Sequence, residues 1–314
     1  MAIRMLKLVP DDIRIGFMSV HRIGLAFSAL MVVASVVLVL VKGLNFGIDF
    51  QGGILIEVRM EKPADLARMR SDLGALNLGE VSLQEFGKKT DVLIRIAAQE
   101  GGEDAQHAAV EAVKKALGAG VDYRRVEFVG PQVSGELLMD GVLATVAAMV
   151  AMLIYIWLRF EWQFGIGAVV ALVHDVVVTI GVFSLLDMEF NLSTVAAVLT
   201  IAGYSINDTV VIYDRVREDL RKYKTVPITD LLDGAVNATL SRTLMTSLTT
   251  LIALFALFFL GGEVIHGFSF AMIFGIIIGT YSTIWVAVPI LLYTNVAARA
   301  RGGNAAGGEA AETP

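Results

Sequence analysis

Six stretches of this chain are long and apolar enough to cross a bilayer as helices, and they leave few options for the rest. A hydrocarbon core of about 30 Å asks for about 20 apolar residues in helical form. Ile23–Val41, Gly141–Leu158, Thr243–Gly262 and Gly267–Tyr293 contain no charged residue. Phe164–Leu186 is interrupted only by His174 and Asp175, and Leu192–Tyr213 only by Asn207 and Asp208. The composition agrees: 56% hydrophobic and 18% charged, where soluble domains carry about 45–50% and about 25%. The absence of cysteine excludes disulfides, thiolate catalysis and cysteine metal sites. A net charge of −6 argues against a nucleic-acid partner, which would want a basic face.

The short loops set the orientation. Lys and Arg number four in residues 1–22, one in 159–163, six in 214–242 and two in 294–314, against none in 187–191 and 263–266. The positive-inside rule therefore predicts both termini in the cytoplasm, with a long segment outside. The first apolar run is too long for a signal-peptide core, so it reads as an uncleaved anchor. The implied organisation is a cytoplasmic N-terminus (1–22), a first span (23–41), an outer domain (42–139), a five-helix membrane domain (140–294) with a cytoplasmic loop at 214–242, and a disordered cytoplasmic tail (295–314) of Gly, Ala and Glu.

Within the outer segment, residues from Ile54 to Met60 alternate as a half-buried strand, with Glu57 and Arg59 on the second face. Pro63 opens a helix striped with Leu66, Met69, Leu73 and Leu76. Val81–Phe86 and Val92–Ile96 read as strands around a turn at Gly87–Asp91. Glu103–Leu117 reads as an amphipathic helix stopped by Gly118, and Tyr123–Val129 as a last strand. Strand, helix, strand, strand, helix, strand is the order of a ferredoxin-like α+β domain. The fold class expected is thus an α-helical membrane protein of six transmembrane helices carrying one small α+β domain outside the membrane.

Polar groups inside the apolar runs mark where chemistry could sit, because an intramembrane carboxylate costs at least about 2.5–3.5 kcal/mol to insert. Asp208, about five residues from the end of its run, is flanked by Tyr204, Ser205 and Thr209, whose hydroxyls could serve either protonation state. Arg242 could face it from the next span, ahead of a hydroxyl stripe of Thr246, Thr249 and Thr250. Deeper lies His174-Asp175, either a second proton station or a structural bond between helices. Gly167, Ala171, Asp175 and Thr179 form a small-residue stripe suited to close helix approach, as does Gly275-x-x-x-Gly279. No ligand spacing for a metal and no nucleotide-binding or hydrolase motif is present. The chain reads as no enzyme and as needing no cofactor, so a transport role would draw on an ion gradient.

Four motifs carry a family resemblance. Gly47-Ile48-Asp49-Phe50-Gln51-Gly52-Gly53, Val129-Gly130-Pro131-Gln132-Val133-Ser134-Gly135-Glu136-Leu137, Ser205-Ile206-Asn207-Asp208-Thr209 with its continuation to Glu218, and Asn237-Ala238-Thr239-Leu240-Ser241-Arg242-Thr243 resemble those of the SecF family of export-membrane proteins in the bacterial Sec translocase. The second departs from that pattern in placing Ser134 before its glycine. The resemblance implies half of a twelve-span fold of the resistance-nodulation-division superfamily, in the bacterial inner membrane. It implies SecD as the other half, the SecYEG channel and YajC nearby, SecA acting upstream, and unfolded preprotein and membrane lipids as contacts. It assigns the proton pathway to Asp208 and Arg242. Two other classes remain: an exporter of lipids or small molecules from the same superfamily, and a non-energised scaffold that binds translocated proteins.

Overall fold

The computed structural model describes residues 14–262, 265–294 and 296. Its elements run α1 (His21–Lys42), β1 (Asn45–Phe46), α2 (Ile48–Gln51), β2 (Gly53–Met60), α3 (Leu66–Gly74), β3 (Val81–Phe86), β4 (Lys88–Ile96), α4 (Glu103–Leu117) and β5 (Val121–Val129). Then follow α5 (Pro131–Arg159), α6 (Trp162–Leu186), β6 (Glu189–Phe190), α7 (Leu192–Lys222), α8 (Ile228–Leu260), α9 (His266–Ser282), a π-helical turn (Thr283–Ala287) and α10 (Val288–Tyr293). Among the described residues six helical segments are long and apolar enough to span a membrane, the last formed by α9, the π turn and α10 together. The tail expected to be disordered at 295–314 lies outside the described residues, except for Val296, which is buried.

The chain divides into two units. The α+β unit comprises Leu44–Thr145 and Glu189–Val195. Its antiparallel sheet has the order β3-β4-β2-β5, the ferredoxin-like arrangement that the element order predicts. One face of the sheet packs Ile54, Ile56, Val58, Leu83, Val92, Ile94 and Ile96 against Met69 and Leu73 of α3 and Val110 and Val113 of α4. Asp65 caps α3 by accepting from the Arg68 amide, and Gly118 ends α4 with φ of 73°. Three boundaries differ from expectation: α3 starts at Leu66 rather than at Pro63, because Asp65 takes the capping position, and two strand ends move. The β3–β4 turn closes at Gly87 rather than over 87–91, because Gly87 takes the positive φ of 64° that a tight turn needs. β5 starts at Val121, as Val58, Arg59 and Met60 of β2 supply partners for its first residues.

The membrane unit holds the other described residues. Its interior is formed by α6, α7 and the last span, whose most apolar window is 61% buried against 6% for α5, leaving most of α5 facing outward. The segment 214–242 is not the loop that its charge suggested. α7 continues to Lys222 and α8 begins at Ile228, so only Tyr223–Pro227 is non-helical. The first turns of α8 have their own apolar face, with Leu231, Leu232, Ala235, Val236 and Leu240 buried at helical spacing. On another side of α8, Asp233 accepts from the Met18 amide at 2.8 Å. Asn237 accepts from the Ile15 amide at 3.0 Å and donates to its carbonyl at 2.9 Å, which anchors the stretch preceding α1.

Candidate functional site

Asp175 is fully buried where three helices meet. Its Oδ1 lies 2.9 Å from Nδ1 of its neighbour His174 on α6. Its Oδ2 accepts from Ser205 of α7 at 2.5 Å and from Ser282 of α9 at 2.8 Å. The two hydroxyl donors on Oδ2 suit an ionised carboxyl, and with Asp175 ionised Nδ1 of His174 is a donor. Nε2 of His174 is then a bare acceptor, and it is buried without a hydrogen-bond partner among the described residues. The small-residue stripe makes this convergence geometrically accessible: Gly167, Ala171 and Thr179 are buried beside Asp175 on α6. A Cβ on Gly279 would sit 3.1 Å from Ser205 Cβ and 3.6 Å from Asp175 Oδ2, so that glycine keeps α9 close to α7. Ser205 was singled out as a neighbour of Asp208, but it serves Asp175 instead. Ser282 went unnoticed; its sequence signal is its place in the hydroxyl cluster Thr280-Tyr281-Ser282-Thr283 within the last apolar run.

Asp208 is buried, and its Oδ2 has no hydrogen-bond partner among the described residues. The three hydroxyls expected to serve it are engaged elsewhere. Ser205 bonds Asp175, Thr209 pairs with Thr283 at 3.1 Å, and Tyr204 reaches Thr250 at 3.4 Å. Tyr204 and Ser205, at i−4 and i−3, share a face with Asp208, but all three hydroxyls find partners on other elements instead. Arg242 makes no ion pair with Asp208 among the described residues, and its side chain is exposed. The hydroxyl stripe after Arg242 is mostly internal: Thr246, Thr249 and Thr250 donate to carbonyls one turn back on α8. Asn207 is exposed on α7.

The Gly47–Gly53 motif builds a junction in the α+β unit. β1 and β6 pair in parallel, Asn45 with Glu189 and Phe46 with Phe190. A Cβ on Gly47 would lie 2.5 Å from Glu189 Oε1, so the missing side chain makes room for that carboxylate. Gly52 and Gly53 have φ of 72° and 121°, and a Cβ on Gly53 would strike the Ile96 carbonyl oxygen of β4. The glycine pair lets the chain turn out of α2 straight into the central strand. Phe46, Phe50 and Phe190 pack with ring centroids 6.1 to 6.2 Å apart. Asp49 Oδ2 accepts from the Leu192 amide at 2.9 Å, capping the first turn of α7.

With this geometry in place, likeness to known proteins is extensive. The family described as "Protein export membrane protein SecD/SecF, C-terminal" matches residues 109–297, and the "SecD/SecF GG Motif" matches residues 37–64, which contain the junction. The chain is 46% identical over 295 residues to protein translocase subunit SecF of Rickettsia rickettsii (strain Sheila Smith), covering 93% of this chain and 95% of that one. It is 48% identical over 300 residues to the protein of the same name from Cereibacter sphaeroides, covering 93% of each chain. Its fold matches the crystal structure of SecDF, a translocon-associated membrane protein from Thermus, with a TM-score of 0.84 and 34% identity. That match covers 91% of this chain and 39% of the SecDF chain, so the chain spans about two fifths of that protein. The expected six-span architecture with an α+β domain therefore stands, and this chain belongs to the SecD/SecF family of protein export membrane proteins.

Proposed function

We propose that the chain is the SecF-type subunit of a bacterial preprotein translocase that, with a SecD partner, uses the proton-motive force to draw preprotein across the inner membrane. The observation that carries this reading is Asp208, a buried carboxyl in a spanning helix with one oxygen unpartnered among the described residues. Intramembrane carboxylates of this kind mark ion paths. Taking up a proton removes a charge from the interior of the bundle, and losing it restores the field between Asp208 and Arg242. One charge moved across the potential supplies about 2.3 kcal/mol per 100 mV. His174 and Asp175 offer a deeper station, with Nε2 of His174 as the acceptor, and Asn207 lines the same helix.

Exposure of Asn207 and Arg242 within spanning helices supports a protein partner on that face, because polar groups in hydrocarbon need protein or water around them. A SecD partner, which supplies the missing half of the fold, suits it; the SecYEG channel and YajC would be further neighbours. In this reading both termini are cytoplasmic and the α+β domain meets emerging preprotein outside.

The test is export of a secretory precursor into inverted membrane vesicles, with and without a protonophore. Asp208→Asn keeps shape and hydrogen-bonding capacity but cannot titrate, so export should lose its response to the protonophore while the chain still co-purifies with its SecD partner. A full protonophore response in that variant would make Asp208 a structural carboxyl.

A further inference from the structure

Within the α+β unit the sheet is tied to the start of α7 by more than chain connectivity. Arg95 of β4 projects from the sheet face opposite the helices, since its neighbours Ile94 and Ile96 belong to the core. Its Nη2 donates to Glu189 Oε2 at 2.6 Å and its Nη1 to Asn45 Oδ1 at 2.7 Å. Both ends of the Arg95–Glu189 pair are largely covered, at 14% and 24% exposure. Glu189 stands three residues before α7, and Asp49 caps the first amide of that helix. Two bonds in different directions, one from the sheet and one from the Gly47–Gly53 motif, therefore hold the beginning of α7. From there the helix continues unbroken to Asp208, 16 residues on from Leu192, or about 24 Å at 1.5 Å per residue.

We infer that Asp49 and the Arg95–Glu189 pair are the positioning residues through which a change at Asp208 is passed along α7 to the outer sheet. The inference rests on Asp208 being the proton-responsive group proposed above. A helix is stiff over this length, so a shift or rotation of α7 arises at both ends. Without the pair and the cap, its first turn could move while β4 stayed still. The pair is suited to transmission because it is mostly shielded from solvent: exposed ion pairs yield cheaply, whereas a covered charge loses heavily when its partner leaves. Gly47 belongs to the same device, because a Cβ there would press on the Glu189 carboxylate and move it.

The experiment uses the full chain with its membrane partner, in the vesicle assay with a secretory precursor and a protonophore. Glu189→Gln, Arg95→Gln and Asp49→Asn are compared with the exchange Arg95→Glu/Glu189→Arg and with Asp208→Asn. We expect each single variant to lower the protonophore-sensitive part of export about fivefold or more, the size of a typical coupling between sites. The exchange should recover at least half of it. Hydrogen-exchange protection of β2, β4 and β5 should remain at the wild-type level throughout. Retention of the protonophore response in Glu189→Gln and Arg95→Gln, alongside its loss in Asp208→Asn, overturns the transmission and leaves the proton reading standing. Retention in Asp208→Asn overturns the proton reading first. Loss of strand protection in the single variants, or no recovery in the exchange, makes the pair a structural brace and overturns the inference.

Discussion

Ser205 Oγ donates to Asp175 Oδ2 across 2.5 Å, three residues before Asp208 on the same helix. One face of α7 is thus fixed to α6 by a buried carboxyl, while a carboxyl one turn later is left without a hydrogen bond to one of its oxygens. Two acidic residues in neighbouring helices have opposite surroundings. One is saturated with donors and the other is underserved.

Ser205→Ala and Ser282→Ala each remove one bond to this carboxylate. Bonds to charged groups contribute about 1.5–3 kcal/mol, so each variant should lower the thermal midpoint of the detergent-solubilised chain. Asp175→Asn should lower it further, since it changes what all three donors meet. An unchanged midpoint in both serine variants would show that those bonds contribute nothing.

Gly53→Ala asks a side chain to occupy a φ of 121° and to overlap the Ile96 carbonyl. Strained backbone of this kind costs about 1–3 kcal/mol before any clash is counted. Hydrogen exchange should show β2 and β4 losing protection together near Ile54 and Ile96, with the membrane helices unaffected. Normal protection there would mean that the strand tolerates the new side chain.

The α+β domain should also weaken on acidification through Asp91. The Arg59 guanidinium, hydrogen-bonded to it at 2.6 and 2.8 Å, holds that carboxyl below its ordinary range, with Thr90 assisting. A carboxyl whose folded-state value is depressed stabilises the fold above its unfolded value of about 3.9, and the benefit disappears as pH falls through the folded-state value. Arg59 is 38% exposed, so solvent screening keeps the effect small. Asp91→Asn should therefore be slightly less stable near neutrality and show a flatter loss of sheet protection below about pH 4. The check is hydrogen exchange corrected for the intrinsic pH dependence of the amides.

Orientation has a direct test, because the chain contains no cysteine of its own. Ala119 and Thr225 are both exposed. A cysteine at Ala119 should react with a membrane-impermeant maleimide in intact spheroplasts, and one at Thr225 should not. The opposite pattern would invert the topology.

The spans and the α+β order could be read from the sequence because length, apolar content and alternation are local properties. The segment 214–242 could not be read from charge alone, although Leu231, Leu232, Ala235, Val236 and Leu240 already carried the helical period. Charge sets which side of the membrane a segment occupies, and periodicity sets whether it coils. The polar residues of interest were visible as misfits in apolar runs, but their partners were not. Asp175 meets Ser205 and Ser282 only because three helices separated by up to 107 positions converge. The role of Asp49 was hidden for the same reason, since Leu192 lies 143 positions away.

The π-helical turn at Thr283–Ala287 fixes how many residues the last span can contain. Such a turn accommodates one extra residue, and each residue advances an α-helix by about 100°. Ahead of the turn, Ser282 faces Asp175; at its last residue the Ala287 carbonyl receives the Tyr213 hydroxyl at 2.9 Å, and beyond it Leu291 is buried. Both halves point inward only because of that additional advance. Deleting a single residue here would leave the composition and length of the span almost unchanged. It would still force a choice between the polar bond at one end and the apolar packing at the other, so this stretch should tolerate substitution better than any change in residue count.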